Sequence, residues 1–234
     1  MQKGEALYEG KAKILYATED PDYIIQFFKD DATAFNAEKK GTIKEKGIMN
    51  NEISEVLFRR LEKEAVPTHF VQRLNDREML VRRLEIIPVE VVMRNVIAGS
   101  LAKRLGLDEG TPLSMPVLEH YYKSDPLGDP MINLFHIRAM GMATDSEMAE
   151  IERLSFRVNE VLKTFFDQRN LILVDFKLEF GRHHGRILLG DEICPDTCRL
   201  WEKNSLEKLD KDRFRRDLGK VEEAYQEVCR RVCG

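Results

Sequence analysis

Residues 171–180, "LILVDFKLEF", open as an unbroken apolar run and then alternate. Alternate side chains of a strand share a face. Val174, Phe176, Leu178 and Phe180 therefore point one way, and Asp175, Lys177 and Glu179 the other. A second apolar run, "RILLGDEI" (186–193), carries Asp191 and Glu192, and "GRHHG" between the runs reads as a hairpin connection with glycine at both ends. The pattern predicts an antiparallel pair whose returning strand, residues 186–193, brings Asp191 near the face of Glu179.

Elsewhere the period changes from two to 3.6 and back. Residues 7–18 and 22–35 are β-rich, separated by the turn residues "EDPD". Asp30, Asp31, Thr33 and Asn36 then read as a polar loop. Ile53, Val56, Leu57 and Leu61 mark a helix, and residues 68–88 read as two strands around an Asn75–Asp76 turn. Residues 88–98 form a further strand. Gly99 and Ser100 open a short helix that Gly106 closes. Residues 107–143, rich in Pro, Gly and Asp, read mostly as loop, with a short strand or helix near "VLEHYY". "TDSE" at 144–147 is a capping box, and Met148, Ile151, Leu154, Val158, Val161, Leu162 and Phe165 trace the long amphipathic helix behind it. A last helix carries Phe214, Leu218, Val221, Tyr225, Val228 and Val232 on one face. Strands with one helix precede strands with two long helices, which predicts an α+β fold of two lobes, residues 1–84 and 85–234.

Composition narrows the function. The 234 residues are 43% hydrophobic and 33% charged, with a formal charge of -4. A nucleic-acid binder shows a basic surplus or block, and this chain has neither. No apolar run approaches the ~18 residues of a membrane span, and the N-terminus lacks a signal-peptide core. Four cysteines, Cys194, Cys198, Cys229 and Cys233, are read as reduced thiols of a cytoplasmic protein. "CPDTC" and "CRRVC" each space two of them four apart, which raises a Cys₄ metal site as the rival reading.

The charged strand face has a bland reading, a solvated outer face. Against it, Asp and Glu are poor strand formers, and the flanking "LILV" and "ILLG" look buried on both faces. Buried carboxylates need partners, and hard oxygens on adjacent strands suit Mg²⁺ with phosphate oxygens. No P-loop or Rossmann glycine pattern is present. "EGKAKILY" places Lys11 and Lys13 after Gly10, either as a phosphate contact or as lysines guarding an edge strand. "RNVIAGSLAKR" sets Arg94 before a helix start whose free N–H groups favour an anion, while Ser100 reads equally as a cap. Arg199 would add a planar, bidentate anion contact.

Six stretches taken together, "LYEGKAKILY", "DDATAFNAEKKG", "KGIMNNEIS", "VEVVMRNVIAGSLAKRLG", "LILVDFKLEFG" and "GDEICPDTCRLW", resemble the SAICAR synthetase family, in order and across nearly the whole chain. The resemblance implies a small antiparallel-sheet lobe that binds nucleotide, a larger α+β lobe for substrate and metal, and an ATP cleft between them, as in kinases and ATP-grasp ligases. It implies an ATP-dependent ligase joining L-aspartate to carboxyaminoimidazole ribonucleotide through an acyl phosphate. By that resemblance Lys11, Ala12 and Lys13 hold the ATP phosphates, and the adenine meets backbone between Leu84 and Ile86. Glu179 and Asp191 hold Mg²⁺, and Lys177 stabilises the transferring phosphoryl. Asp175 contacts the ribose or orients Lys177. Arg94, Ser100 and Arg199 bind the ribonucleotide phosphate. Asp31 lies at the mouth, and Asp129 lies near the aspartate. The expected partners are these small molecules and a second copy in a homodimer, which the exposed faces of the final helices could support. A small-molecule kinase and a non-catalytic nucleotide sensor on the same fold are the rival functions.

Overall fold

The computed structural model describes residues 1–34 and 39–234, so Asn36 lies outside the described residues. Strands β1 (Ala6–Glu9), β2 (Lys13–Ala17) and β3 (Tyr23–Phe28) run antiparallel, followed by β4 (Asp31–Ala34), β5 (Lys39–Thr42) and helix α1 (Lys46–Lys63). The hairpin β6 (Phe70–Arg73) and β7 (Glu78–Arg82) completes the first sheet, in the order β1-β2-β3-β7-β6. Several expectations change here. Lys11 lies in the turn between β1 and β2, which the Gly10 N–H to Lys13 carbonyl bond closes at 2.9 Å. Strand β2 is flanked on both sides, so Lys13 does not guard an edge. Asp31 and Thr33 form β4, paired with β5, rather than an open loop.

The second sheet holds β8 (Glu85–Val96), β9 (Pro112–Tyr122), β10 (Met131–Ile132), β11 (Leu171–His183) and β12 (Arg186–Leu189) in the order β10-β9-β8-β11-β12, with β13 (Cys198–Glu202) paired to β11. Between β8 and β9 stands α2 (Gly99–Leu105), and α3 (Leu134–Ala139) and α4 (Asp145–Asp167) precede β11. The segment expected as loop thus contains an eleven-residue strand, β9. Its register against β8 supplies what its composition lacks, because long-range pairing overrides weak local propensity. The hairpin after β11 turns at His184 and Gly185, both with positive φ, the geometry of a two-residue turn matched to strand twist. Gly181 is a strand residue paired with Ile86, not part of the connection. Strand β12 ends at Leu189 instead of running to 193, because Asp191 takes φ 60 and bends the chain away.

The last helix is two pieces, α5 (Asp212–Arg215) and α6 (Val221–Cys233). Asp217, Gly219 and Lys220 all have positive φ and break the period between Phe214 and Val221. Val228 and Val232 on α6 are buried, and α6 packs against α1. The apolar stripe of this helix is therefore used inside the chain.

One apolar core joins the two sheets. Phe28, Leu57 and Val81 from the first part lie in the same cluster as Val91, Phe176 and Leu178, over which Leu154, Val158 and Leu162 of α4 pack. Asn95 of β8 and Asn159 of α4 cross this layer with paired amide bonds of 2.8 and 3.0 Å, which satisfies two buried polar groups. The sheets also touch through backbone: the His69 N–H donates to the Leu189 carbonyl at 2.8 Å, and the Leu189 N–H to Pro67 at 3.0 Å.

Asp30 sets where α1 begins. Its Oδ1 accepts from the Gly47 N–H at 2.9 Å and its carboxylate takes Arg77 at 2.8 and 2.9 Å. An anion at a helix N-terminus satisfies a free donor and meets the positive end of the dipole. Gly47 permits the approach, since a Cβ there would lie 2.4 Å from the Phe28 carbonyl oxygen. Gly47→Ala should lower the unfolding free energy by about 2 kcal/mol, the usual cost of overpacking. A guanidinium midpoint equal to that of the parent chain would show that the backbone there relaxes freely.

Candidate active site

The site is built on one face of the β8–β11 pair. Register sets Asp175 opposite Arg94, Lys177 opposite Val92 and Glu179 opposite Glu90. The opposite face carries Val91, Met93, Phe176 and Leu178, all in the core. The charged face is not solvated: Asp175 is 3% exposed and Glu179 5%. It floors a cleft of roughly 710 Å³ between the two sheets. The cleft is lined by Lys11, Ala12, Lys13, Leu84, Ile86, Arg94, Ser100, Asp129, Asp175, Lys177, Glu179, Asp191 and Arg199. Asp31 is not among its walls. It lines an adjoining hollow with Tyr8, Gly10 and Lys11 and pairs with Lys29 at 2.7 Å.

At one end lysines and carboxylates interleave. Lys177 Nζ bonds Glu179, lies 2.9 Å from Asp191 Oδ2 and 3.4 Å from Glu90 Oε1. Lys13 pairs with both Asp191 and Glu192, and Lys123 Nζ reaches Glu179 at 2.9 Å. Burial alone would lower the Lys177 pKa, but the carboxylates of Glu179, Glu90 and Glu192 outweigh it and raise the value. Burial likewise opposes ionisation of Glu179, and Lys177, Lys123 and Lys13 overcome it, holding its pKa well below the ordinary range. Glu90 is pushed up by burial, with the facing Glu179 charge adding to the shift that Lys177 opposes. Burial and the facing charge thus favour the proton on Glu90 over Glu179, whose carboxylate the lysines keep charged.

Glu179 and Asp191 share the Lys177 ammonium between them. A cation already sits where their oxygens converge, and the donor set is the hard carboxylate oxygen that Mg²⁺ prefers. The residues fit that ion. Asp191 reaches the spot from the turn after β12, not from the strand itself.

The other end is an arginine cluster. Arg94 donates to Glu119 at 2.6 Å, Asp175 at 2.9 Å, Ser100 Oγ at 2.9 Å and the Tyr121 hydroxyl at 3.2 Å. Arg199 donates to Asp212 at 2.9 Å and to Asp175 at 2.8 and 3.0 Å. Asp175 therefore orients two arginines rather than Lys177, because its strand neighbours across the register are Arg94 and Arg199. Ser100 does not cap α2, whose N-cap is Ala98 with no side-chain bond; its hydroxyl accepts from Arg94 instead. Gly99, at φ +54, lies under Arg199, where a Cβ would stand 2.6 Å from Nη2. The bare backbone lets the guanidinium sit against the helix start.

The cleft also has an apolar wall of Leu15, Ile24, Val81, Leu84 and Ile86. Beyond Arg199 the cleft includes Asp196, Thr197, Lys211 and Arg215. Asp196 binds Lys46 Nζ at 2.6 Å, the Tyr225 hydroxyl at 2.5 Å and Asn50 at 3.2 Å. Burial would raise its pKa, but Lys211 and Lys46 reverse this and lower it. Glu90, Glu119, Tyr121, Lys123, Asp196, Lys211 and Arg215 escape the reading of the sequence. Strand alternation back from Arg94 reaches Glu90, so a signal for that residue is present. Glu119, Tyr121 and Lys123 are hidden because the composition around β9 is that of a loop.

Cys194 and Cys198 are buried, and Cys198 is pushed up to about 12 chiefly by that burial, so both stay neutral thiols.

Two packed antiparallel sheets, with a lysine–carboxylate end and an arginine end in the cleft between them, define an enzyme of phosphorylated small molecules. Residues 6–232 match the SAICAR synthetase family model, and the chain belongs to the SAICAR synthetase family. It is 62% identical over 232 residues to phosphoribosylaminoimidazole-succinocarboxamide synthase of Desulfitobacterium hafniense, covering 99% of this chain and 98% of that one. The Caldanaerobacter subterraneus enzyme of the same name is 60% identical, with 99% of each chain covered. Among solved structures, the Ehrlichia chaffeensis synthase superposes with TM-score 0.96 at 47% identity, over 97% of this chain and 98% of that chain. A SAICAR synthetase in complex with ADP superposes with TM-score 0.94 at 47% identity, over 96% of each chain.

His69 lines the cleft from the first sheet, is 4% exposed and leaves Nε2 without a partner. Burial first, then the charges of Lys13 and Arg82, lower its pKa from the ordinary 6.5 to about 3. The unfolded chain therefore binds a proton below pH 6.5 that the folded chain refuses, and stability falls from there toward pH 3. At about 1.4 kcal/mol per unit, His69 should account for about 3 kcal/mol of lost stability by pH 4.5. Urea unfolding of the parent and His69→Gln at pH 7 and 4.5 checks this. An equal acid loss in both chains would remove His69 as the cause.

Proposed function

We infer that this chain is an ATP-dependent ligase that joins L-aspartate to carboxyaminoimidazole ribonucleotide, giving SAICAR, ADP and phosphate in purine biosynthesis. The observation that carries this reading is one cleft holding both a cluster able to exchange its lysine–carboxylate pairs for phosphates and a metal, and a separate arginine end for a second phosphate. Membership of the family and the superposition on an ADP complex support ATP as the phosphoryl donor.

The chemistry needs an activated carboxyl, because a carboxylate does not react with an amine at neutral pH. In the proposed sequence a substrate carboxylate oxygen attacks the γ-phosphorus and ADP departs. The aspartate amine then attacks the acyl carbon, phosphate leaves, and the nitrogen loses a proton. Lys11, Ala12 and Lys13 sit at the mouth to hold the nucleotide phosphates, and the wall from Leu84 to Ile86 receives the base. Lys177 is held charged by its carboxylates, so its role is to neutralise the transferring phosphoryl and not to act as a base. Glu179 and Asp191 would hold Mg²⁺, which when bound supplies charge neutralisation at the phosphates and carboxylate. Arg94, Ser100 and Arg199 bind the ribonucleotide phosphate, with Asp175 holding both guanidinium groups. Asp129 stands at the cleft edge, held by the Ser124 N–H at 2.8 Å, as a candidate contact for aspartate. A cytoplasmic location is proposed with this pathway.

Phosphate release from ATP should require Mg²⁺, carboxyaminoimidazole ribonucleotide and L-aspartate together, with a succinocarboxamide as product. Aspartate-independent transfer of the γ-phosphoryl to a hydroxyl, with no phosphate released, would replace the ligase with a kinase. Glu179→Gln and Asp191→Asn should each lower turnover by at least about 100-fold while circular dichroism stays unchanged. Arg199→Lys should raise KM for the ribonucleotide roughly tenfold, through loss of the planar fork, and leave KM for ATP unmoved. A shift confined to ATP would move the phosphate site away from the arginine end.

A further inference from the structure

Two of the four cysteines lie away from the cleft. Cys229 and Cys233 sit four residues apart on α6, the spacing that puts two side chains on one helix face. Glu52 of α1 meets them, with the Cys229 thiol donating to Glu52 Oε2 at 3.6 Å. One ligand atom from each of the three residues lies within 4.8 Å of the other two, and all three are half-buried. Among the described residues no other group of His, Cys, Asp and Glu converges so closely. None of the three lines the cleft or the hollow beside it.

We propose that Cys229, Cys233 and Glu52 form a second binding site, one that takes a single thiophilic divalent cation such as Zn²⁺. Two sulfurs and one carboxylate oxygen are three of the four corners of a tetrahedral zinc centre, with the fourth left to water. Sulfur donors select against Mg²⁺, whose hard-oxygen site is at the cleft. Two thiolates and a carboxylate carry three negative charges, of which a dication neutralises two.

The cation would link α1 to α6. These helices already meet through Asp196, which binds Lys46 and Asn50 from α1 and Tyr225 from α6. The site therefore reinforces from outside the same helix contact that holds a cleft residue inside. The sequence alternative of a Cys₄ centre is not what forms: Cys194 and Cys198 are buried in the core, and the closing ligand is a glutamate 177 residues from Cys229.

The test uses the reduced, chelator-treated full chain. Cd²⁺ is titrated while the ultraviolet thiolate-to-metal charge-transfer band is followed, and Zn²⁺ is titrated against a chromophoric chelator. One equivalent per chain is expected, with the band absent from the Cys229→Ser/Cys233→Ser double variant and affinity at least about tenfold weaker in Glu52→Gln. Zinc at a hundredfold excess over Kd should raise Tm by roughly 5–10 °C in the parent chain and not in the double variant. A band that survives in the double variant, absence of equimolar binding, or parent-like affinity in Glu52→Gln overturns the site.

Discussion

A charged side chain removed from water must find an opposite charge or hydrogen bonds, and the cost of failure is several kcal/mol per ion. Strands β8 and β11 carry that constraint through the middle of the molecule. They turn Glu90, Arg94, Asp175, Lys177 and Glu179 inward on one shared face. The rest of the molecule supplies their partners. Asp191 arrives from the turn after β12, Lys123 and Glu119 from β9 and its end, and Arg199 from β13, itself held by Asp212 of α5. The active cleft and the tertiary structure are in this sense the same set of contacts.

The network is close to balanced before any ligand enters. At the lysine end the carboxylates of Glu90, Glu179, Asp191 and Glu192 face Lys13, Lys123 and Lys177. Nucleotide phosphates would draw the lysines off, and a cation would take their place among the carboxylates. Such an exchange conserves paired charge throughout, so the groups stay oriented and little reorganisation is left for the reaction itself. The arginine end works by a different device. Arg94 directs its donors to four protein partners, and Asp175 ties it to Arg199. Rigidity there favours a fixed, geometrically selected anion over a mobile one.

Mechanical support comes from two helices far apart in the chain. Helix α1, which follows the first five strands, and helix α6, at residues 221–233, clamp Asp196 between Lys46 and Tyr225. Residues 1–84 and 85–234 are thus separable as sheets but share one core and this buried ion pair. Removing one partner of such a pair leaves a buried charge uncompensated. The contact between α1 and α6 is accordingly where a cation held at Cys229 and Cys233 would be felt in the cleft.

The local periodicities are legible in the chain itself. Alternation in residues 171–180 places Asp175, Lys177 and Glu179 on one face, and the capping box at Thr144 and Glu147 marks the start of α4. Those features depend only on neighbours in the chain, so the sequence determined them by itself, and the ordered motifs were enough to indicate the family. Tertiary structure decided the rest. It made β9 a strand by pairing it with β8, and it ended β12 early so that Asp191 could bend toward Lys177. It gave Asp175 to two arginines, and Ser100 to Arg94 instead of to its helix. It also brought Glu52 to Cys229 and Cys233. Each of these depends on which distant segment lies alongside, and a side chain's periodicity records its face but not its partner. Burial turns that partner into a requirement, because a charge in water is stable alone and a charge in a core is not.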